Sequence, residues 1–241
     1  GIGPGNRDDI TPAALSAIRQ SDVIIGYNYY FQFIQDIIHP DTQCIDTGMK
    51  REKIRAEEAY KYASEGKTVT VISSGDAGIY GMASLMYEMS AEYPSCELTV
   101  VPGITAASSG AAVLGAPLNH DFCVISLSDL LTPWEQIKAR LRAAVLGDFA
   151  IALYNPSSRK RADYLQRACD ILLDAGAKGT RACGYVENIG RDGETKKVMT
   201  LTELKDYEAD MFTTVFIGNS RTKKSALGGQ DWMVTPRGYR I

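Results

Sequence analysis

The apolar positions of this chain change period along its length, and each change marks an element. Val23 to Gly26 and Thr68 to Ser73 are apolar on both faces, the pattern of strands in a parallel sheet covered by helices. Thr11-Pro12 supplies a cap and a first-turn proline for a helix through about Arg19. Asn28 to Ile38 reads as helical, and Arg51 to Glu65 is a charged amphipathic helix ended by Gly66. A helix from about Ile79 to Tyr93, a strand at Leu98 to Val101 and a small-residue helix at Thr105 to Leu114 complete an alternating order.

Past Gly115-Ala116-Pro117 the pattern shifts. Strands are predicted at Phe122 to Leu127, Phe149 to Leu153, Arg181 to Val186, Lys196 to Thr200 and Thr214 to Ile217. Helices are predicted near Trp134 to Ala144 and Arg159 to Ala175. Gly190-Arg191-Asp192-Gly193, set between two strand signals, reads as a hairpin turn, and a hairpin brings antiparallel pairing. The expected fold class is α/β in two α/β domains. Residues 1–117 carry a mainly parallel sheet and residues 118–241 a mixed one.

Composition narrows the function classes. Of 241 residues, 45% are apolar and 23% charged, ordinary values for a soluble globular protein. A formal net charge of -3 leaves no basic footprint for nucleic acid or an anionic membrane. No apolar run approaches the roughly 18 residues of a membrane span. Cys44, Cys96, Cys123, Cys169 and Cys183 are scattered without a CxxC pair, which argues against a disulfide framework and a zinc site. With only His39 and His120 to assist, no metal is expected. The expectation is a reduced, cytoplasmic, soluble protein. Gly1-Ile2-Gly3-Pro4-Gly5 is a turn that should follow a strand, so the natural chain is expected to start a few residues earlier.

That turn does not fit a phosphate. A dinucleotide fingerprint needs a third glycine where Asn6 stands, and no Gly-Lys-Ser/Thr triplet occurs. Three turns, Gly1 to Gly5, Ser74 to Gly78 and Pro102-Gly103-Ile104-Thr105, share a place at the carboxyl edge of predicted parallel strands, where open α/β sheets bind ligands. The second contains Asp76. A carboxylate among backbone donors repels phosphate but suits a ribose hydroxyl or an ammonium. S-Adenosyl-L-methionine offers a sulfonium, an amino group and a ribose diol, and carries no phosphate. The alternative for Asp76 is an N-cap on the helix beginning near Ile79.

GIGPG, SSGDAGIYGMA, VVPGITAASSGAAVLGAPLNHDF, ALYNP and VENIGR, in that order, resemble the tetrapyrrole methylases of corrin and sirohaem biosynthesis. HDFCVISLSDLLTPW (120 to 134) and the C-terminal TPRGY (235 to 239) resemble the subgroup acting at C17 of precorrin-3B, or of cobalt-precorrin-3, with ring contraction. The resemblance covers essentially the whole chain. It implies two α/β domains, S-adenosyl-L-methionine in the interdomain cleft, S-adenosyl-L-homocysteine as product, and a homodimer. Pro4 matches the first loop, Gly75, Asp76 and Ala77 the cofactor loop, and Ile79 and Tyr80 the residues packed behind it. Thr105 and Ala106 match a third contact. Tyr154, Asn155, Gly184, Tyr185 and Thr214 match segments surrounding methionine and adenine.

Carbon methylation by such a family needs alignment more than a nucleophile. The ring contraction implied for the subgroup extrudes C20, held as an acetyl group, while a ring acetate closes a lactone, and that step moves protons. His120, Asp121, Ser128 and Asp129 lie in the subgroup stretch and are the candidates. Turn and capping roles compete for each. A substrate with around eight carboxylates calls for local positive charge, and Arg159, Arg161, Arg191 and Arg221 are the candidates. Three further readings stay open: another corrin-pathway methylase, a diphthine-synthase-like protein methylase, and a nicotinamide-binding or purely binding module.

Overall fold

A computed structural model describes residues 1–158 and 161–239. The chain forms two compact units, Gly1–Thr105 and Ala106–Ile241.

Unit 1 is built on a parallel sheet of β1 (Val23–Gly26), β2 (Gln43–Asp46) and β3 (Val69–Val71) in the order β2-β1-β3. Val23 lies opposite both Gln43 and Val69. All four residues of β1 are buried because the strand packs on both faces. Ile24 joins Ile2, Ile18, Ile34 and Ile72 on one side. Val23 and Ile25 join Ala56, Tyr60, Met82 and Met86 on the other. Alternating side-chain direction makes one apolar run serve two cores. Helix α1 (Pro12–Arg19) starts where the sequence predicts, with the Thr11 hydroxyl accepting from the Ala14 N–H at 3.2 Å. Helix α3 (Glu52–Ser64) also matches its prediction.

Three predictions in unit 1 are corrected. Helix α2 covers only Asn28–Phe31. Helix α4 runs Ala83–Ser90 rather than from Ile79, because Asp76 and a left-handed Tyr80 (φ 55°) hold the preceding residues in turns. Leu98 to Val101, predicted as a strand, forms no strand among the described residues. Met86 and Met89 are buried in one core with Tyr60.

Unit 2 opens with α5 (Ala106–Leu114), which the sequence analysis assigned to the first domain. Its small-residue face explains the earlier boundary. A Cβ on Gly110 would lie 2.8 Å from Ile189 Cδ1 and from Phe216 Cζ, so this helix belongs to the second core. After β4 (Gly115–Ala116), a mixed sheet follows, formed by β5 (Phe122–Ser126), β6 (Ala150–Tyr154), β7 (Ala182–Glu187), β8 (Thr195–Thr200) and β9 (Thr213–Ile217). Its order is β5-β6-β9-β7-β8, with β5 and β6 parallel and every other pair antiparallel. The predicted hairpin is present between β7 and β8, with Gly190 and Gly193 at positive φ. Helices α6 (Trp134–Leu146), α7 (Tyr164–Asp174) and α8 (Leu201–Lys205) cover the face carrying Ile151, Leu153, Val215 and Ile217. Ala152, Val186 and Phe216 face α5. Two strands escaped the sequence analysis, β10 (Lys223–Leu227) and β11 (Gln230–Val234). Gly228-Gly229, both at positive φ, form their turn, the conformation a two-residue hairpin loop requires.

Candidate active site

The glycine turns of unit 1 converge at the carboxyl edge of its sheet. The Ile2 N–H donates to the Ser73 carbonyl at 2.9 Å, and Gly3 and Gly75 exchange backbone hydrogen bonds of 3.1 and 2.7 Å. The backbones approach too closely for side chains. A Cβ on Gly1 would sit 2.5 Å from the Gly75 oxygen and 2.7 Å from the Gly103 nitrogen. Gly75 itself has a φ of 66°, open to glycine and costly for other residues. Pro4 is buried in the first turn.

Asp76 locks the three turns together. Its Oδ1 accepts from the N–H groups of Gly78 (2.8 Å) and Ile79 (3.1 Å), and its Oδ2 accepts from Gly103 at 2.8 Å. It caps no helix, since α4 begins with Met82 as its cap. An ionised carboxylate offers about four lone-pair sites. Three backbone donors therefore leave one acceptor position on Oδ2. Beside it, Ile79 and Tyr80 are 39% and 58% exposed, an apolar shelf next to an acid. Ser73 to Tyr80 contains no lysine or arginine. This donor set fits a hydroxyl or a cationic amine and rejects phosphate. Thr105 ends unit 1 and Ala106 opens α5 in unit 2.

In unit 2 the expected cofactor residues fall largely on one face of the sheet. Tyr154 ends β6, and its hydroxyl oxygen accepts the Ala107 N–H at 2.6 Å, satisfying a donor in the first turn of α5. Ala106 and Tyr154 pack against the same core as Phe216, whose side chain shares a face with Thr214. Gly184 faces α5 as well, since a Cβ there would lie 3.0 Å from Leu114 Cδ2. Tyr185 points the other way and stacks on Tyr207, ring centroids 4.0 Å apart, leaving only its backbone on the α5 side. Asn155 takes a left-handed φ of 53° and donates through Nδ2 to the Ser126 hydroxyl at 2.9 Å.

The four candidates for proton transfer divide. His120 and Asp121 precede β5, while Ser128 and Asp129 follow it, so five strand residues rising about 3.3 Å each separate the pairs. One site cannot use both. His120 is exposed, with Nε2 2.9 Å from the Pro236 carbonyl oxygen. Asp129 sits in a network: Oδ2 accepts from the Tyr164 hydroxyl at 2.6 Å and Oδ1 from Arg161 Nη1 at 3.4 Å. The same nitrogen donates to the Ser128 hydroxyl at 2.7 Å. The Tyr164 hydrogen bond, with help from Arg161, holds the Asp129 carboxyl below its ordinary pKa. In return, the hydrogen bond to Asp129 raises Tyr164. Trp134 packs on Tyr164 with centroids 4.5 Å apart, and the Arg167 guanidinium lies 4.2 Å above the indole.

The candidate arginines divide too. Arg161 joins Asp129, and Arg191 lies in the β7–β8 turn with its guanidinium 5.9 Å from the Phe212 ring. Strand directions put that turn at the same edge as Ser126 and Tyr154. Arg221 follows β9 at the opposite edge, beside Ser220, whose N–H donates to Asp148 ahead of β6 at 2.8 Å. Arg159 lies outside the described residues. Among the described residues, no helix is long and apolar enough to cross a membrane.

Residues 1–205 match the family model for tetrapyrrole (corrin/porphyrin) methylases. The chain belongs to the tetrapyrrole methylases. As a member it is a methyltransferase that uses S-adenosyl-L-methionine. It is 47% identical over 245 residues to the cobalt-factor III methyltransferase of Priestia megaterium, covering 100% of this chain but only 44% of that protein. It is 43% identical over 242 residues to the probable cobalt-factor III C(17)-methyltransferase of Salmonella typhimurium, covering 100% of this chain and 98% of the relative. The crystal structure of the methyltransferase CobJ superposes with a TM-score of 0.88 at 37% identity, covering 98% of this chain and 97% of that one.

Within this tetrapyrrole methylase, sequence reasoning placed the Gly103 turn at the binding edge but missed its pairing with Asp76 across 27 positions, and it missed two further contributors. Ser126 anchors Asn155, and Tyr164 anchors Asp129 across 35 positions. Such long-range pairs leave no trace in local spacing.

Proposed function

We propose that this tetrapyrrole methylase transfers a methyl group from S-adenosyl-L-methionine to C17 of a precorrin-3 macrocycle, with ring contraction, in cobalamin biosynthesis. The full-length likeness to proteins named for cobalt-factor III carries the substrate assignment and favours the cobalt-containing form over precorrin-3B. When bound, the cofactor supplies an electrophilic methyl on its sulfonium. The protein's part is alignment in a water-poor site, worth about 7–11 kcal/mol at best. Oδ2 of Asp76 accepts a ribose hydroxyl or the amino group, with Pro4, Gly75, Ala77, Ile79 and Tyr80 around it. The family resemblance assigns Thr105, Ala106, Tyr154, Asn155, Gly184, Tyr185 and Thr214 to the cofactor as well.

Asp129, kept ionised, acts as proton acceptor in ring contraction, with Ser128 beside it. Arg161 and Arg191 take substrate carboxylates. Arg221, His120 and Asp121 lie at the other sheet edge and are not part of that set. Five free thiols suit a reducing cytoplasm. A homodimer is favoured by Leu130 and Leu131, 65% and 99% exposed in the subgroup stretch. Light scattering at micromolar concentration is expected to give twice the chain mass, and a monomer refutes the dimer.

Calorimetry is expected to show S-adenosylhomocysteine binding in the micromolar range and no binding of NAD. Anaerobic incubation with cobalt-precorrin-3 or precorrin-3B, followed by mass spectrometry, is expected to show a gain of one methyl. Failure with both substrates, cofactor binding intact, overturns the C17 assignment and leaves another corrin-pathway methylase.

A further inference from the structure

The stretch HDFCVISLSDLLTPW ends on Trp134, a residue that the roles of Ser128 and Asp129 leave without a task. Trp134 opens α6 and Tyr164 opens α7, so the starts of two helices meet beside Asp129. Arg167 follows Tyr164 at i+3, on the same face of α7. The Trp134 and Tyr164 ring centroids lie 4.5 Å apart at an interplanar angle of 51°. The Arg167 guanidinium carbon is 4.2 Å from the first centroid and 4.7 Å from the second. The three centres form a nearly equilateral triangle, and the planar cation closes the wedge between the tilted rings.

That triangle sets the aim of one hydroxyl. Asp129 is bonded unequally: Oδ2 accepts from Tyr164 at 2.6 Å, while Oδ1 meets Arg161 Nη1 at 3.4 Å. Arg161 is divided among other acceptors, with Nε donating to the Ser158 hydroxyl at 3.1 Å and Nη1 to Ser128 at 2.7 Å. The short bond anchors one carboxylate oxygen, and the long one leaves the other open to a proton. The carboxylate therefore sits where the Tyr164 ring, set by its own torsions, puts the hydroxyl. Arg167 also approaches Asp163, but at 3.9 Å between exposed side chains that pair holds little. A planar guanidinium stacks on aromatic faces as an ammonium does not, which makes the rings its principal seat. The hydrogen bond to Asp129 raises the Tyr164 pKa, and Arg167 pulls it the other way.

We propose that Trp134 and Arg167 are positioning residues for the proton transfer of ring contraction. They clamp the Tyr164 ring, so its hydroxyl stays on Oδ2 and Oδ1 remains the oxygen that takes the proton. Neither touches the reacting atoms. Their role rests on Asp129 as proton acceptor, whereas the clamp itself belongs to the resting protein and can be read without turnover.

The test uses Trp134→Leu and Arg167→Met, which remove a flat partner and keep apolar bulk, and Trp134→Phe, which keeps a ring. NMR of isotope-labelled aspartate follows the Asp129 carboxyl, which faces Tyr164 and Arg161, with Arg167 and Asp163 behind the ring. Its pKa is expected to rise in the first two variants, as the Tyr164 bond loosens, and to stay low in Trp134→Phe. In single turnover the first two should contract the ring roughly 10- to 100-fold more slowly, the scale of a misplaced group. Methyl transfer and S-adenosylhomocysteine affinity should hold, which a general loss of fold does not allow. In a Tyr164→Phe background, with no hydroxyl to aim, Arg167→Met should slow contraction no further. Multiplying effects in that pair overturn the proposal, and so does an unchanged Asp129 titration in both variants. Normal contraction in the clamp variants overturns it as well, and Asp129→Asn then tells the failures apart. Slow contraction in Asp129→Asn keeps Asp129 as acceptor and removes the clamp; normal contraction there removes Asp129 itself.

Discussion

Asp129→Asn is expected to slow ring contraction by roughly 10²–10⁴-fold, the range of a lost general base, while S-adenosylhomocysteine affinity stays unchanged. The carboxylate accepts from Tyr164 and Arg161 in a geometry that the amide copies in shape but not in charge. An amide cannot take a proton while the lactone closes. Methyl transfer depends on alignment, so single-turnover product analysis should show methylation surviving better than contraction. The pH profile supplies a second readout. The hydrogen bond from Tyr164, then Arg161, lowers the Asp129 carboxyl, so the native network is present above the ordinary carboxylate range and is lost as pH falls through the lowered value. Tyr164 is raised, so its part is present below the ordinary tyrosine value and is lost as pH rises through the raised one. Tyr164→Phe removes the largest cause and should move the acid limb of activity upward. If Asp129→Asn yields the normal product at wild-type rate, the residue serves the fold alone.

Asp76→Ala is expected to weaken S-adenosylhomocysteine binding roughly 10–100-fold, from a charge-assisted hydrogen bond of about 1.5–3 kcal/mol. It should also lower stability, because the part-buried Gly103 N–H loses its acceptor, at a cost of about 1–3 kcal/mol. Asp76→Asn apportions the stability loss. Its amide oxygen still serves Gly78 and Ile79, but an NH₂ facing Gly103 cannot accept, so thermal unfolding should keep the Gly103 share of the loss. Unchanged affinity in Asp76→Ala, measured by calorimetry, would remove the cofactor assignment from this loop.

The periodic segments were legible from sequence because they answer to local rules. Thr11-Pro12 fixes the start of α1, and the run Val23–Gly26, buried on both faces, could only be a covered parallel strand. The antiparallel hairpin at Gly190 to Gly193 follows from turn chemistry. Gly228-Gly229 carried the same signal for β10 and β11, but Lys223-Lys224 and an exposed strand pair hid the strand pattern around it. The family could be read from motif order, since catalytic loops are short and contiguous.

What the tertiary structure alone decided is which residues meet. Asp76 had the sequence of a helix cap and became a staple across to Gly103, because three glycine backbones approach within van der Waals contact and leave their N–H groups to be satisfied. Helix α5 looked like part of the first domain, yet Gly110 and Gly184 bind it to the second sheet through contacts too close for any side chain. His120 and Asp129 sit nine positions apart and looked like one site. An extended strand holds them at opposite edges of the sheet, while Tyr164, far along the chain, supplies Asp129 with its shortest hydrogen bond. Spacing along a chain determines local geometry, whereas a hydrogen bond between distant segments depends on how whole elements pack, and no residue type announces its partner.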